Sequence, residues 1–298
     1  MNRLVSFLKE EEVEFETEKK LSHIASIGIG GAAALFVTPK NKEKFTKILR
    51  FITKNNIPYY LTGNMTNILP TDSGIEKVIL STLGLSFFSL SEKEITAESG
   101  ALFSRIILFA ADNHLGGYEK IFGIPGTVGG MLRVNAGAYG CSASDLLVGV
   151  EVYDPLSDKI LFLKREEIGF YYRDSDLKRS GFIILSAKFR LQKAARPDIV
   201  AAINEVKRKR LDTQPLAAKT LGSVFKRTDI APASYLVDKC GLKGCSIGGI
   251  SVSEKHAGFF VNDGTGTAED FLRLCDIVKF KVSEEYGVFL SEEFEYFS

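Results

Sequence analysis

The spacing of apolar residues predicts a chain that mixes short strands with helices. Apolar runs bounded by turn residues predict buried strands, at 32–37, 59–62, 77–81, 94–98, 147–153 and 182–191. Apolar residues three and four positions apart predict helices, at 41–54, 102–114, 197–211 and 267–287. The first of these regions alternates strand and helix, so we expect an α/β unit there.

The last predicted helix carries both of its end signals. Thr267 is a favourable N-cap, and Glu269 and Asp270 place negative charge in the first turn. Gly287 is the expected stop, because glycine readily adopts the left-handed conformation that ends a helix. We therefore expect one long amphipathic helix near the end of the chain.

Composition narrows the class of protein. The 298 residues are 45% hydrophobic and 25% charged, which excludes a disordered, collagen-like or coiled-coil chain and fits two or three domains. A formal net charge of +1 gives no long-range attraction for a polyanion, so we expect neither nucleic acid nor membrane as a partner. The basic run 207–210 continues a predicted helix and is interpreted as its solvated face.

No targeting segment or long apolar run is evident, which predicts a cytoplasmic protein. The cysteines lack CxxC spacing and are expected to be reduced and structural: Cys141, Cys240, Cys245 and Cys275. The histidines lack the spacing of metal ligands, so no metal site is expected: His23, His114 and His256.

Two glycine clusters could hold a ligand. The first, from Gly28 to Ala33, matches GxGxxA, but a strand follows it where a dinucleotide fingerprint needs a helix. The second places eight glycines within the 25 residues 116–140 and is predicted to be a loop. Tight turns would explain three or four of the eight, and the remainder favour exposed backbone N–H groups facing a phosphate or a flat cofactor.

The second cluster resembles a known cofactor loop. Residues 122–130 (FGIPGTVGG) and 135–140 (NAGAYG) closely resemble the flavin-binding loop of the UDP-N-acetylenolpyruvoylglucosamine reductase family. Further segments resemble motifs of the same family in the same order, at 26–31, 170–175, 210–215, 221–226, 251–257 and 290–293. The resemblance spans residues 23–293. The interval between Arg173 and Arg210 is too short for the extra loop of the longer family subtype, so the chain resembles the compact subtype.

The resemblance implies an α+β fold. It implies a two-part FAD-binding domain of the vanillyl-alcohol-oxidase (PCMH) type over 1–85 and 86–192, and a C-terminal α+β substrate-binding domain over 193–298. It also implies that FAD takes a hydride from NADPH and passes it to a UDP-N-acetylglucosamine enolpyruvate, which gives UDP-N-acetylmuramate for peptidoglycan synthesis. A small-molecule UDP-sugar is thus the expected partner, and no obligate protein partner is implied.

The family motifs also imply roles for particular residues. Arg173 would hold and polarise the substrate carboxylate, Ser223 would donate a proton, and Glu293, favoured over Glu292 by the tail motif, would act with Arg173. The implied substrate-binding residues are Tyr172, Arg210, Gln214, Lys226, Lys255 and His256. The implied cofactor-binding residues are Gly63, Asn64, Met65, Thr66, Asn67, Gly123, Ile124, Pro125, Gly126, Thr127, Gly129, Gly130, Asn135, Gly137, Tyr139 and Gly140.

Two methionines depart from the family pattern. Met65 stands in the middle glycine position of the pyrophosphate loop, and Met131 stands where a small residue is usual. If position 65 has positive φ, methionine there costs about 1 kcal/mol of strain. Two other functions therefore stay open: a non-catalytic relative that binds a UDP-amino-sugar, and a different flavin oxidoreductase of the same fold.

Overall fold

The computed structural model describes all 298 residues, Met1 to Ser298, as a mixture of helices and short strands. The helices are α1 (Asn2–Glu10), α2 (Lys42–Lys54), α3 (Phe103–Asp112), α4 (Val128–Arg133), α5 (Asp176–Arg179), α6 (Arg196–Thr213), α7 (Ala233–Lys239) and α8 (Ala268–Tyr286). The strands are β1 (Phe15–Lys20), β2 (Ala32–Val37), β3 (Tyr59–Thr62), β4 (Ile68–Pro70), β5 (Ile75–Ser81), β6 (Phe88–Ser91), β7 (Glu94–Glu98), β8 (Leu115–Gly116), β9 (Gly137–Ala138), β10 (Cys141–Ser142), β11 (Leu147–Asp154), β12 (Lys159–Lys164), β13 (Phe170–Tyr171), β14 (Asp174–Ser175), β15 (Ile183–Arg190), β16 (Gln192–Lys193), β17 (Ser246–Ile247), β18 (Ile250–Val252), β19 (Phe260–Asn262) and β20 (Glu295–Phe297).

Every helix and strand predicted from apolar spacing is present, with bounds that differ by two residues or fewer. One prediction was wrong in part: the glycine-rich segment 116–140 is not a continuous loop. It contains α4, the two-residue strand β9 and the last residue of β8. Thr127 caps α4 and accepts a hydrogen bond from Gly130 N at 3.3 Å.

Packing divides the chain into two compact units. The first comprises 1–17, 35–64 and 77–208, and the second comprises 18–34, 65–76 and 209–298. The chain passes between them within β1, β2, β5 and α6, and also between Asn64 and Met65. The three-domain boundaries implied by the family resemblance stay predictions.

The first unit contains a five-stranded antiparallel sheet of order β12-β11-β15-β7-β6. Its core includes an aromatic group in which Phe103 meets Tyr118 and Phe189 edge to face, with ring centroids 5.1 and 5.6 Å apart. Tyr118 also donates a hydrogen bond from its hydroxyl to Ala143 O at 2.8 Å. The glycine-rich segment is thereby anchored at its beginning to the core of the sheet.

The second unit combines the antiparallel sheet β17-β18-β19 with α8 and a parallel pair, β20 and β4. The first turn of α8 is capped from two directions. Thr267 and Asp270 form a reciprocal capping box, and the Asp72 carboxylate accepts from Ala268 N at 2.8 Å. Gly287 ends the helix at φ 65°, as predicted.

The four cysteines form no disulfide. Burial raises the pKa of the Cys141 thiol to about 11, and burial also raises the pKa of Cys275. Both thiols are therefore protonated and unreactive near neutral pH. None of the helices combines the length and apolar character that a membrane span requires.

Candidate active site

Two of the segments implied to bind FAD approach each other in the first unit. Gly63 directly follows β3, and a Cβ at this position would lie 2.5 Å from Thr127 Oγ1. Only glycine fits there without moving the Thr127 side chain, which is 1% exposed. The structure therefore brings Gly63 and Thr127, one residue from each of these segments, into contact.

Part of the 122–130 backbone is committed to the protein and part is not. Val128 N and Gly129 N donate to Ala101 O and Ser99 O, at 2.9 and 2.8 Å. The main-chain N–H groups of Gly123, Gly126 and Thr127 donate to no protein acceptor. These three unpaired N–H groups are donors of the kind that a phosphate or a flavin edge requires.

One buried side chain in this cradle also lacks a partner. Ser99 is fully buried, and its Oγ makes no hydrogen bond, although buried hydroxyls are normally satisfied. A Cβ at Gly129 would lie 3.1 Å from Ser99 Cβ, so Ser99 is in contact with the same segment. An unsatisfied hydroxyl and unsatisfied amides fit a polar cofactor such as FAD. Ser99 was not identified from the sequence, since no motif marks it.

The glycine count itself is weaker support than expected, because the structure gives most of the eight glycines a local reason. Gly117, Gly123 and Gly140 have positive φ. A Cβ would lie within 3.1 Å of a protein atom at four others, namely Gly116, Gly126, Gly129 and Gly137. Turns and close packing thus account for seven of the eight rather than three or four.

The two unusual methionines have different environments. Met65 has φ 49°, as expected for a glycine position, yet its side chain is 3% exposed. Its carbonyl accepts a hydrogen bond from Ser26 N at 3.2 Å. Met131 is 2% exposed and packs in the core of the first unit, where its Cγ lies 3.0 Å from a Cβ built at Gly126. Met131 is therefore a core residue.

Arg173 is held against the second part of the glycine-rich segment. Its Nη2 donates to Gly137 O at 2.7 Å, and its guanidinium carbon lies 5.1 Å from the Tyr172 ring centroid. Asn135 Nδ2 donates to Tyr171 O at 3.0 Å, which is a second hydrogen bond between residues 135–137 and residues 171–173. Arg173 itself has φ 53°, an uncommon conformation for a non-glycine residue and one often found at functional sites. Tyr139, also at positive φ, is exposed.

In the second unit, the segment that carries Ser223 is extended between two others. Val224 N donates to Gly258 O at 2.9 Å on one side. On the other side Glu293 N donates to Val224 O, and Lys226 N donates to Ser291 O, each at 2.8 Å. The structure thus brings the Ser223 segment and the Glu293 segment into one ladder.

The two neighbouring glutamates of the tail have different environments. Glu292 forms an ion pair with Lys279 of α8. The Glu292 carboxylate is therefore engaged by a neighbouring cation. This arrangement supports the choice of Glu293 over Glu292.

Three of the implied substrate-binding residues make local contacts. Lys255 donates from Nζ to Leu211 O near the end of α6, where a cation is favourable. Arg210 is 8% exposed on the same helix, and its carbonyl accepts from Gln214 N at 2.8 Å. The Gln214 Oε1 atom is buried and makes no hydrogen bond, so it is available to a ligand donor.

His256 is held as a neutral imidazole. Burial lowers its pKa, and its Nδ1 accepts a hydrogen bond from Gly258 N at 3.1 Å. The neutral ring can bind a substrate by hydrogen bonding through Nε2 rather than as a cation.

Comparison with known proteins places this chain in a family. The family model "UDP-N-acetylenolpyruvoylglucosamine reductase, C-terminal domain" matches residues 214–297, and the model "FAD binding domain" matches residues 33–159. A UDP-N-acetylenolpyruvoylglucosamine reductase from Clostridium novyi is 37% identical over 98% of this chain and 94% of its own length. The chain belongs to the UDP-N-acetylenolpyruvoylglucosamine reductase family.

Other members of the reductase family agree with this assignment. The reductase of Clostridioides difficile is 36% identical over 97% of this chain and 95% of its own length. A crystal structure of the reductase from Thermus caldophilus has a TM-score of 0.81 at 29% identity, and covers 96% of this chain and 99% of that one. These matches confirm the predicted family, the α+β fold and the FAD-binding domain.

Proposed function

We propose that this chain is an NADPH-dependent flavoprotein that reduces UDP-N-acetylglucosamine enolpyruvate to UDP-N-acetylmuramate for cytoplasmic peptidoglycan precursor synthesis. Membership of the reductase family over 98% of the chain supports this reaction. The observation that carries the assignment of residues is the hydrogen bond from Glu293 N to Val224 O, 2.8 Å long. It pairs the predicted proton donor's segment with the predicted catalytic carboxylate's segment.

FAD, when bound, supplies the hydride that it has received from NADPH. The residues that would hold it are Gly63 and Thr127, with the free amides of Gly123 and Gly126 and the hydroxyl of Ser99. Glycine at position 63 lets it pack closely against Thr127, because a Cβ there would contact Thr127 Oγ1.

The chemistry of the substrate explains the three catalytic residues. Hydride addition to the terminal carbon of an enolpyruvyl group spreads negative charge into its carboxylate, and Arg173 is the fixed cation for that charge. The Arg173 Nη2 bond to Gly137 O at 2.7 Å keeps the guanidinium in place before substrate binds. Ser223 donates the proton to the neighbouring carbon, and Glu293 organises the substrate carboxylate or relays a proton.

Ser223→Ala tests the reaction and the role together. Flavin reduction by NADPH is expected to survive, whereas reoxidation by the enolpyruvyl substrate is expected to slow by about 10² to 10⁴, the usual contribution of a general acid. Stopped-flow absorbance of the flavin measures each half-reaction separately. Ser246→Ala, at an exposed position of β17, is the matched control.

Other outcomes would identify the alternative functions. A purified chain that takes up no FAD contradicts the enzyme and favours a sugar-binding relative. NADPH oxidation that is independent of the enolpyruvyl substrate favours a different flavin oxidoreductase. Equal loss of both half-reactions in Ser223→Ala gives Ser223 a structural role.

A further inference from the structure

Asn67, the last residue of the 63–67 segment, makes two hydrogen bonds to the tail that carries Glu293. Its side-chain Nδ2 donates to Glu293 O at 2.9 Å. Its own carbonyl accepts from Glu295 N, also at 2.9 Å. The two bonds bracket Phe294, so they fix the main chain on the C-terminal side of Glu293.

The N-terminal side of Glu293 is fixed separately. Glu293 N donates to Val224 O at 2.8 Å, so both peptide groups of Glu293 are hydrogen-bonded to other segments. The tail then continues as β20, which pairs in parallel with β4 and places Glu295 opposite Ile68. Asn67 is therefore the first contact of a continuous attachment between the tail and the residues that follow the 63–67 segment.

We propose that Asn67 is a positioning residue for the Glu293 carboxylate, an inference that rests on the function proposed above. Family resemblance implies that Asn67 binds the cofactor, but its Nδ2 is already engaged with Glu293 O. The Glu293 carbonyl belongs to the same residue as the reacting carboxylate. Without the Asn67 donor, the peptide that follows Glu293 is less constrained in rotation, and the carboxylate moves with it.

The consequence of such movement is large for a catalytic group. A displacement of about 1 Å at a reacting residue lowers the rate by about 10²-fold. The Asn67 bond acts directly on the main chain of the residue that bears the reacting carboxylate. The loss is expected only in the half-reaction that uses Glu293, which is reoxidation of the flavin by substrate.

The test compares Asn67→Ala and Asn67→Asp with Glu293→Gln and with the double variant Asn67→Ala/Glu293→Gln. Asp keeps the shape of Asn and removes the donor, so it serves if the Ala variant folds poorly. Asn113→Ala is the matched control, because its Nδ2 likewise donates to a main-chain carbonyl, Phe109 O, at 2.8 Å in α3. The readouts are the two flavin half-reactions and the dissociation constant of FAD measured by flavin fluorescence.

We expect the Asn67 variants to slow reoxidation by about 10- to 100-fold while flavin reduction and FAD affinity change by about twofold or less. In the Glu293→Gln background, Asn67→Ala is expected to add no further loss, since it acts through the carboxylate that is already removed. The control is expected to match the unmodified chain.

Four outcomes overturn the proposal. A rise of about tenfold or more in the FAD dissociation constant, with both half-reactions affected, makes Asn67 a cofactor ligand. Full additivity in the double variant separates Asn67 from Glu293. If Glu293→Gln slows reoxidation and the Asn67 variants do not, only the positioning role of Asn67 fails. If Glu293→Gln leaves reoxidation unchanged, the proposed catalytic role of Glu293 is rejected, and this inference is rejected with it.

Discussion

At the scale of single residues, Met65 shows two opposing contributions to stability at one position. Its backbone is left-handed, which costs an L-residue about 1 kcal/mol, while burial of a methionine side chain stabilises by about 1.5 to 3 kcal/mol. The stabilisation by burial exceeds the cost of the backbone conformation, since the side chain is only 3% exposed. The methionine is thus tolerated at a position that favours glycine by conformation alone.

Comparison of Met65→Gly with Met65→Ala isolates the cost of the left-handed backbone. Both variants lose the buried side chain, but only glycine relieves the strain at φ 49°. We expect the glycine variant to be more stable than the alanine variant by about 1 kcal/mol, measured by urea unfolding. At Met131, within α4, the order is expected to reverse, because glycine destabilises a helix by about 1 kcal/mol relative to alanine. Alanine more stable than glycine at position 65 would contradict the strain.

His256 is expected to make stability depend on pH. Its pKa is lowered by burial in the folded chain, so the unfolded chain binds the proton more tightly. The contribution of His256 to the free energy of unfolding is therefore complete above the unfolded pKa of about 6.5. It is lost as the pH falls through the folded pKa, by at most about 1.4 kcal/mol per pH unit.

His256→Asn tests this pH dependence. The Asn Oδ1 atom can accept the bond from Gly258 N in place of Nδ1, but it does not titrate. Unfolding free energies measured from about pH 7.5 to about pH 5.5 are expected to fall less steeply in the variant. A slope in His256→Asn equal to that of the unmodified chain would reject the assignment.

At the scale of elements, α8 depends on a cap supplied from a distant part of the sequence. The Asp72 carboxylate accepts from Ala268 N and Glu269 N, at 2.8 and 3.3 Å. Two of the first N–H groups of the helix are thereby satisfied, and a negative charge lies at the positive end of the helix dipole.

Asp72→Ala is expected to lower the free energy of unfolding by about 1 to 2 kcal/mol, because it removes both the acceptor and the charge. Asp72→Asn keeps an acceptor and is expected to lose about 0.3 to 1 kcal/mol. Chemical unfolding followed by far-UV circular dichroism measures both. Asp112→Ala, which breaks an exposed ion pair with Arg196, is the comparison, and an equal loss there would argue against a capping role.

Long periodic elements were predictable from the sequence because each repeats a pattern over many residues. The core strands and α8, with Thr267 and Gly287 at its ends, follow directly from such patterns. The helix α4 was not predicted, because its glycines at 129 and 130 are poor helix formers, and the first is required there by close packing. The helix α1 and the short pairing strands were also missed, since their patterns are brief.

At the scale of the whole molecule, cofactor binding and folding are thermodynamically linked. A ligand that binds only the folded chain stabilises it by about 2.7 kcal/mol at 100 times its dissociation constant. The unsatisfied Ser99 hydroxyl gives this linkage a specific test, because an unpaired buried hydroxyl is unfavourable until a partner arrives.

Ser99→Ala is expected to leave the apoprotein as stable as the unmodified chain or about 1 kcal/mol more stable. It is also expected to reduce the stabilisation that added FAD confers, by about 1 kcal/mol. Thermal unfolding with and without FAD measures both effects. A less stable apoprotein with an unchanged response to FAD would show that the hydroxyl serves the protein and not the cofactor.

The residues of the candidate site are predictions from motifs, whereas their arrangement was not predictable from the sequence. Motifs predict Arg173, Ser223 and Glu293 as the catalytic residues. They could not show that Glu293 pairs with Val224 or that Asn67 holds its carbonyl, because these contacts join residues 69 and 226 positions apart. Long-range pairing depends on the whole fold and leaves no local pattern in the sequence.

The parallel pair of β4 and β20 has a consequence for how the chain matures during translation. Glu295 lies opposite Ile68, so the strand that begins at residue 68 has no partner until 227 further residues have been synthesised. Nascent chains emerge at about 5 to 20 residues per second, so this edge stays unpaired for roughly 10 to 45 seconds. The Glu293 carboxylate is consequently added after Arg173 and Ser223, and a ribosome that stalls shortly before residue 293 leaves a chain that carries the 122–130 segment but lacks that carboxylate.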